Sequence, residues 1–241
     1  MRKFLVMLLA TIVLMPATAA TLDEDVARYI QIFNSDTHAH QEAVESLAWM
    51  GLSDTRLFDV IERRVKDEAD RFRNNKDEKN RVARYIRALG FSGQSKYEPT
   101  IRQYLADRTY ERYAKTALED MDDYRKWNPI ISNRASFDPR YSDDVNRVMN
   151  MLKSDDPLLK RVAAKRIYFA HQDDVLLELL AKDLKAAYPK ADTTYSDATS
   201  WMVKALGNAK NPKYRPLIQE IAGNSRDSKV ASYAKKALES F

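Results

Sequence analysis

Residues 88–101 read ALGFSGQSKYEPTI, and residues 205–218 read ALGNAKNPKYRPLI. In both segments an Ala-Leu-Gly triplet is followed, six residues after its glycine, by Lys-Tyr, one further residue and Pro. A second pair of matching segments follows the two copies, YAKTALE at 113–119 and YAKKALE at 233–239. An internal repeat of this kind indicates a chain built from similar structural units that stack on one another.

The repeated segments predict pairs of short helices. An apolar helix is expected to end at each Ala-Leu-Gly, where a left-handed glycine can close it, and Gly51 occupies the same kind of position as Gly90 and Gly207. The next helix is expected to begin near Pro99 or Pro216, because a proline is tolerated in the first turn of a helix. Each pair then leaves an apolar surface that a neighbouring pair can cover.

Apolar residues recur at three- and four-residue spacing along most of the chain, for example at Val44, Leu47 and Ala48. No segment has the two-residue alternation that is typical of a half-buried strand. We therefore predict an all-α fold, a right-handed α-α superhelix of about five helix pairs. The predicted solenoid covers residues 21–241, with an irregular connection around residues 121–142 between two blocks of repeats.

Residues 1–20 have the order of a secretory signal peptide. A basic start at Arg2 and Lys3 precedes an apolar run over residues 4–15, which a proline and small residues follow. The run is shorter than the roughly 20 residues that a membrane-spanning helix needs, so cleavage near Ala19/Ala20 is expected. The chain contains no cysteine, which excludes disulfides and thiolate metal sites. We predict a periplasmic or secreted protein with no membrane span after cleavage.

The charges argue against a nucleic-acid partner and otherwise say little about partners. The chain has 40 Lys+Arg and 35 Asp+Glu residues, for a net charge of +5. The two signs alternate along most segments, which is typical of solvated helix surfaces. A nucleic-acid-binding protein would gather its basic residues in a stripe or patch, and none is visible in the sequence. We expect one or more proteins of the cell envelope as partners.

Residues 211–218, NPKYRPLI, resemble the turn and the start of the second helix in HEAT repeats, particularly the short repeats of phycobilisome-lyase-like proteins. A first-helix pattern, in which a basic residue and Val precede alanine-rich spacing, occurs at residues 81–90 and again at 229–238. The resemblance implies an armadillo-type α-solenoid that acts as a protein-binding scaffold or adaptor. A compact helical bundle and a tetratricopeptide-like array are the alternatives for the same helices.

The resemblance also implies where a partner would dock. In HEAT proteins the second helices of the pairs line the concave face, so polar residues beside their buried stripes form the candidate contact set. These residues are Arg63, Arg64, Arg102, Gln103 and Gln219. Trp127 joins them as a candidate in the irregular connection, with simple packing over the edge of the solenoid as the alternative.

No common catalytic motif is present in the sequence. Glycine-rich phosphate loops, the Gly-x-Ser-x-Gly elbow and the His-Glu-x-x-His pair are absent. Adjacent aspartates near predicted helix starts and turns are expected to cap backbone N–H groups. They are Asp122-Asp123, Asp143-Asp144, Asp155-Asp156 and Asp173-Asp174. We predict no enzymatic activity and no cofactor; the alternative is a non-catalytic subunit or a lyase-like enzyme of the HEAT-repeat type.

We predict no metal site, although His38 and His40 are candidates for one. Side chains two residues apart face different sides of a helix, so these two could share a metal only in a loop. Transition-metal sites also usually need three or four ligands. A metal-binding or ligand-binding periplasmic protein is therefore a further alternative.

Overall fold

The computed structural model describes residues 21–35, 37–190 and 193–241. The predicted signal peptide, residues 1–20, lies outside the described residues. Within these ranges the chain is helical and contains no strand, which confirms the predicted all-α class. In the same ranges, none of the helices combines the length and the apolar character needed to cross a membrane.

The described ranges contain twelve α-helices, which form six consecutive pairs, close to the expected number of about five. Their bounds are α1 Leu22–Asn34, α2 His40–Met50, α3 Thr55–Glu68, α4 Lys76–Phe91, α5 Glu98–Arg102, α6 Glu111–Ile131, α7 Asp143–Lys153, α8 Pro157–Phe169, α9 Asp174–Ala187, α10 Thr193–Asn208, α11 Arg215–Asn224 and α12 Ser228–Leu238.

The pairs stack in two layers. In the even-numbered layer, α4 packs against both α2 and α6, and α10 packs against both α8 and α12. In the odd-numbered layer, α1 packs against α3 and α7 packs against α9. One hydrophobic core runs between the layers, as expected for helix pairs that bury their apolar faces against neighbouring pairs.

The two copies of the repeat form the same close helix crossing, once between α4 and α6 and once between α10 and α12. Gly90 and Gly207 are the last-but-one residues of α4 and α10, so these helices end where predicted, but neither glycine adopts the predicted left-handed cap. A Cβ at Gly90 would lie 2.8 Å from the Cα of Ala117, and one at Gly207 would lie 2.6 Å from the Cβ of Ala237. Ala117 and Ala237 occupy the same place in the two YAK-x-ALE segments, so both glycines permit close helix approach. Only Gly51 (φ +70°) ends its helix in the left-handed region.

The Lys-Tyr step of the repeat also has the same role in both copies. Lys96 Nζ lies 2.5 Å from Asp59 Oδ1 on α3, and Lys213 Nζ lies 2.6 Å from Glu178 Oε1 on α9. The tyrosine that follows each lysine is buried in the core. Each turn is therefore fastened to the odd-numbered helix before it by an exposed ion pair and by a buried ring.

The irregular connection is shorter than the sequence predicts. Residues 121–131 belong to α6, and only residues 132–142 lack α-helix. Pro129 lies inside α6, two residues before its end, and lacks the N–H that would bond to the carbonyl four residues earlier. Trp127 and Ile131 on the same segment are buried, and this burial favours continuing the helix to Ile131.

A buried ion cluster joins the first helix pair to the fourth. Asp25 on α1 accepts hydrogen bonds from Arg147 on α7 and from Arg134, which lies in the connection before α7. Asp25 and Arg147 are each 3% exposed. Helix α2 also packs against α7 and α8, so these two non-consecutive pairs lie side by side.

Candidate functional site

A cavity of about 550 Å³ opens where α2, α4, α6 and α8 meet. All four helices belong to the even-numbered layer. The cavity exists because α8 lies beside α2, which follows from the contact between the first and fourth pairs. We call it the junction cavity.

Four aromatic side chains line the junction cavity: Trp49, Tyr124, Trp127 and Phe169. Two of them are fixed by hydrogen bonds. The Tyr124 hydroxyl donates to the Ala48 carbonyl at 2.8 Å, and Trp127 Nε1 donates at 2.7 Å to Oδ2 of Asp156, the residue that precedes α8. Phe169 ends α8 with its side chain 72% exposed. Phe169 is the most exposed large apolar residue among the described residues.

Helix α8 forms a basic wall of the cavity with Arg161, Lys165 and Arg166. The Arg166 guanidinium lies 3.7 Å from the centre of the Trp49 ring, a cation–π contact. Burial lowers the pKa of Arg166, and burial together with the nearby Arg161 lowers the pKa of Lys165. Arg161 donates to Asp197 at 3.2 Å, but Lys165 and Arg166 form no ion pair within the described ranges.

Four carboxylates, which we call the acidic wall, also line the cavity. Glu42 and Glu45 come from α2, and Asp120 and Asp123 come from α6. Burial raises the pKa of Asp120, although Arg87 Nε donates to its carboxylate at 3.3 Å. Burial also raises the pKa of Asp123. The cavity thus combines basic, acidic and aromatic side chains in one lining.

One of the four aspartate pairs expected to cap helix starts does not do so. Asp122-Asp123 lies in the middle of α6 and caps nothing. The other pairs are at helix starts, as predicted: Asp143-Asp144 lies in the first turn of α7, and Asp156 accepts hydrogen bonds from two backbone N–H groups of α8. Asp173 precedes α9 without a side-chain cap bond.

A second cavity of about 350 Å³ lies on the other side of the Trp49–Arg166 contact. The two cavities share Glu42, Ser46, Trp49 and Arg166 as lining residues. The stacked indole and guanidinium therefore form a common wall. Together the cavities make a groove along α2 that is longer than the junction cavity alone.

The residues chosen from the sequence lie mostly elsewhere. Arg63 and Arg64 are on α3, where they donate to Asn34 Oδ1 and to the Phe33 carbonyl, each at 3.0 Å. Arg102 pairs with its helix neighbour Glu98 at 2.6 Å.

Gln103 directly follows α5, and Gln219 is exposed on α11. All five of these predicted contact residues therefore belong to the odd-numbered layer, and none lines the junction cavity. Trp127 alone does, and it is also 3% exposed. The contact role of all six stays a prediction.

The two histidines proposed for metal binding are in different environments. His40 is fully buried, its Nε2 bonds to the Ile32 carbonyl at 2.8 Å, and its Nδ1 bonds to the Tyr85 hydroxyl. Both ring nitrogens are thus occupied by protein atoms, whereas His38 is exposed. Among the described residues, no three potential ligands are grouped closely enough to hold a metal ion.

The stability of the protein is expected to fall as the pH drops below about 6.5, the ordinary pKa of histidine. Burial lowers the pKa of His40 in the folded chain, so the unfolded chain binds a proton that the folded chain does not. Stability from this group is present above pH 6.5 and is lost as the pH falls through the lowered pKa.

Urea unfolding followed by circular dichroism between pH 7 and pH 5 measures this slope. His40→Gln is expected to reduce the slope by up to about 1.4 kcal/mol per pH unit. The comparison with this variant is essential, because burial and Arg166 lower the pKa of His171 as well. Equal slopes in the parent and the variant would contradict the assignment to His40.

The lining of the junction cavity could not be read from the sequence as a motif. Trp49, Asp120 and Lys165 come from helices far apart in the chain. The one signal in the sequence is the presence of polar residues beside the apolar stripes of the even-numbered helices, a pattern that is equally typical of a solvated surface.

Comparison of the chain with protein-family models, with curated proteins and with solved structures finds no match in any of the three. The chemistry of the site is therefore interpreted from the residues of this chain alone.

Proposed function

We propose that this chain is an exported, HEAT-like scaffold or adaptor that binds a partner protein of the cell envelope at the junction cavity. The signal-peptide pattern of residues 1–20 supports export. The twice-used helix crossing and the stacked pairs support a repeat scaffold. The observation that carries the proposal is the exposed Phe169 beside the Trp49–Arg166 stack at a cavity of about 550 Å³.

The composition of this surface supports protein binding. Tryptophan, tyrosine and arginine dominate the energetically important positions of protein interfaces, because they combine a large contact area with a polar group. All three types line the junction cavity. The odd-numbered layer offers fewer side chains that could contact a partner, since Arg64 and Arg102 are already bonded within the chain.

A site-specific crosslink tests the proposal. A photo-reactive benzoyl-phenylalanine replaces Phe169 in one strain and Gln219, which is exposed on α11, in a matched strain. We expect one or two specific adducts from position 169 in the envelope fraction, and none from position 219. Benzoyl-phenylalanine closely resembles the exposed phenyl ring that it replaces, so the fold should tolerate it.

Three results would oppose this proposal. Adducts from position 219 alone would move the docking surface to the odd-numbered layer, where the resemblance to HEAT repeats had placed it. Adducts found only in the cytoplasmic fraction would contradict export. The absence of adducts at both positions, with the protein present in the envelope, would contradict the scaffold role.

A small-molecule site is the second candidate function. A volume of about 550 Å³ falls within the range of ligand pockets, and raised carboxyl pKa values are found at Asp120 and Asp123. A ligand-binding protein or a lyase-like enzyme would use these features. Native mass spectrometry of the protein purified from the envelope separates the two candidates, since a retained small mass favours the second and a polypeptide partner favours the first.

A further inference from the structure

The even-numbered layer continues past the junction cavity as a row of alternating rings and cations on α8, α10 and α12. The Trp201 ring centre lies 5.0 Å from Lys165 Nζ and 4.2 Å from Lys204 Nζ. Lys204 Nζ also lies 4.1 Å from the ring centre of Tyr233, and Phe169 packs against Trp201 with ring centres 6.2 Å apart. We call these five residues the cation–aromatic stripe.

The two lysines of the stripe have no carboxylate partner. Lys165 and Lys204 are half-buried and form no ion pair in the described part of the chain. The nearby carboxylate of Asp197 is held by Arg161 at 3.2 Å and by Lys229 at 3.0 Å. A half-buried ammonium group that lacks a counter-ion is unfavourable, and a bound anion would relieve this cost.

We propose that the cation–aromatic stripe binds an acidic segment of a partner polypeptide in which carboxylates alternate with apolar side chains. The carboxylates contact Lys165 and Lys204, and the apolar side chains pack on Phe169 and Trp201. The inference rests on the proposed scaffold function and adds the chemistry of the partner segment. Charge complementarity is its basis, because half-buried cations favour anions, and the exposed Phe169 ring favours an apolar group.

The neighbouring acidic wall argues against a uniform polyanion. Four carboxylates of α2 and α6 line the cavity that opens beside the stripe. They would repel a nucleic acid strand or an anionic polysaccharide, whose charges repeat along the whole length. A peptide with spaced carboxylates can place its uncharged residues there.

Binding of a defined probe tests the proposal. The purified full chain, processed as the cell leaves it, is titrated into a fluorescein-labelled random copolymer of glutamate and tyrosine, with anisotropy as the readout. Polyglutamate, which lacks rings, and an oligothymidylate are the comparison probes. We expect the copolymer to bind more tightly than either, and its affinity to fall with added salt.

Matched charge removals locate the site. The double variant Lys165→Met, Lys204→Met keeps the length of both side chains and is expected to weaken copolymer binding at least about tenfold, since two charge-assisted contacts are lost. Lys182→Met, Lys185→Met removes two exposed charges from α9 and is expected to change affinity less than about twofold. Thermal melting checks the fold of both variants, and Lys204→Met alone replaces the double variant where that one does not fold.

Two results would overturn the proposal: tighter binding of polyglutamate or oligothymidylate than of the copolymer, and equal weakening by the α8/α10 and α9 variants. Either result would mean that binding depends on overall charge and not on the arrangement of lysines and rings in the stripe. The crosslink at position 169 is independent of these titrations. A crosslinked partner whose captured segment lacks acidic residues would overturn this inference and leave the scaffold function standing.

Discussion

Replacing Gly90 by alanine is expected to lower the free energy of unfolding by about 3 kcal/mol, the upper range for overpacking a core. The added Cβ would lie 2.8 Å from the Cα of Ala117, and this obstacle is backbone that cannot rotate away. Helices α4 and α6 must separate, which loosens the contact that the repeat encodes. Urea unfolding at 25 °C, followed by far-ultraviolet circular dichroism, measures the loss.

Two other helical glycines serve as controls for Gly90→Ala. Gly223 lies in α11, and a Cβ there would meet no atom within 4 Å. Gly223→Ala is therefore expected to be neutral or to stabilise by about 0.5–1 kcal/mol, through helix propensity alone. Gly207→Ala is expected to destabilise, because its Cβ would meet Ala237. A Gly90→Ala protein as stable as the parent would contradict the close helix crossing.

Replacing Asp25 by alanine is expected to cost about 3–5 kcal/mol, as is usual when one partner of a buried ion pair is removed. Arg147 is 3% exposed and would keep only its bond to Asp144, at 2.8 Å, while Arg134 would also lose a partner. The same unfolding measurement applies. The matched control is Asp122→Ala, which removes an exposed pair with Arg125 and is expected to cost less than about 1 kcal/mol.

A double variant separates the charge from the packing in this cluster. Asp25→Leu together with Arg147→Met removes both members of the buried pair, and much of the lost stability is expected to return, because no unpaired charge is left between them. If Asp25→Ala costs no more than Asp122→Ala, the two charges are not buried together. In that case the contact between α1 and α7 does not hold the first and fourth pairs.

The helical class and the repeated pairs were predictable because periodic apolar residues and turn chemistry are local signals. The crossing at Gly90 was not, since a glycine between Leu89 and Phe91 fits a helix end as well as a helix interior. What decides is Ala117, 27 residues further on, whose backbone leaves no room for a side chain. The same limit explains Pro129, where burial of neighbouring residues outweighs the local preference against proline.

The candidate site was less predictable than the fold. Its walls come from four helices, and the contact of α8 with α2 depends on the pairing of Asp25 with Arg147, residues that are 122 positions apart. The spacing of apolar residues in the sequence does not predict such a long-range pairing. The resemblance to HEAT repeats pointed to the helices that follow the repeat's turns, such as α3 and α11, whereas the junction cavity lies among the even-numbered helices. Trp127 was selected only because its segment broke the pattern.

The buried cluster at Asp25 has a mechanical consequence. A solenoid whose repeats touch only their neighbours stretches and twists like a spring, because strain spreads over many small interfaces. The Asp25 cluster links the first helix pair to the fourth, so the helices between them cannot move apart freely. The amino-terminal two thirds of the solenoid should therefore behave as a stiff block. Elastic deformation is then confined to α9–α12, which carry three of the five residues of the cation–aromatic stripe. A partner that pulled on this end would change the spacing between Lys165 and Lys204 and leave the junction cavity unstrained.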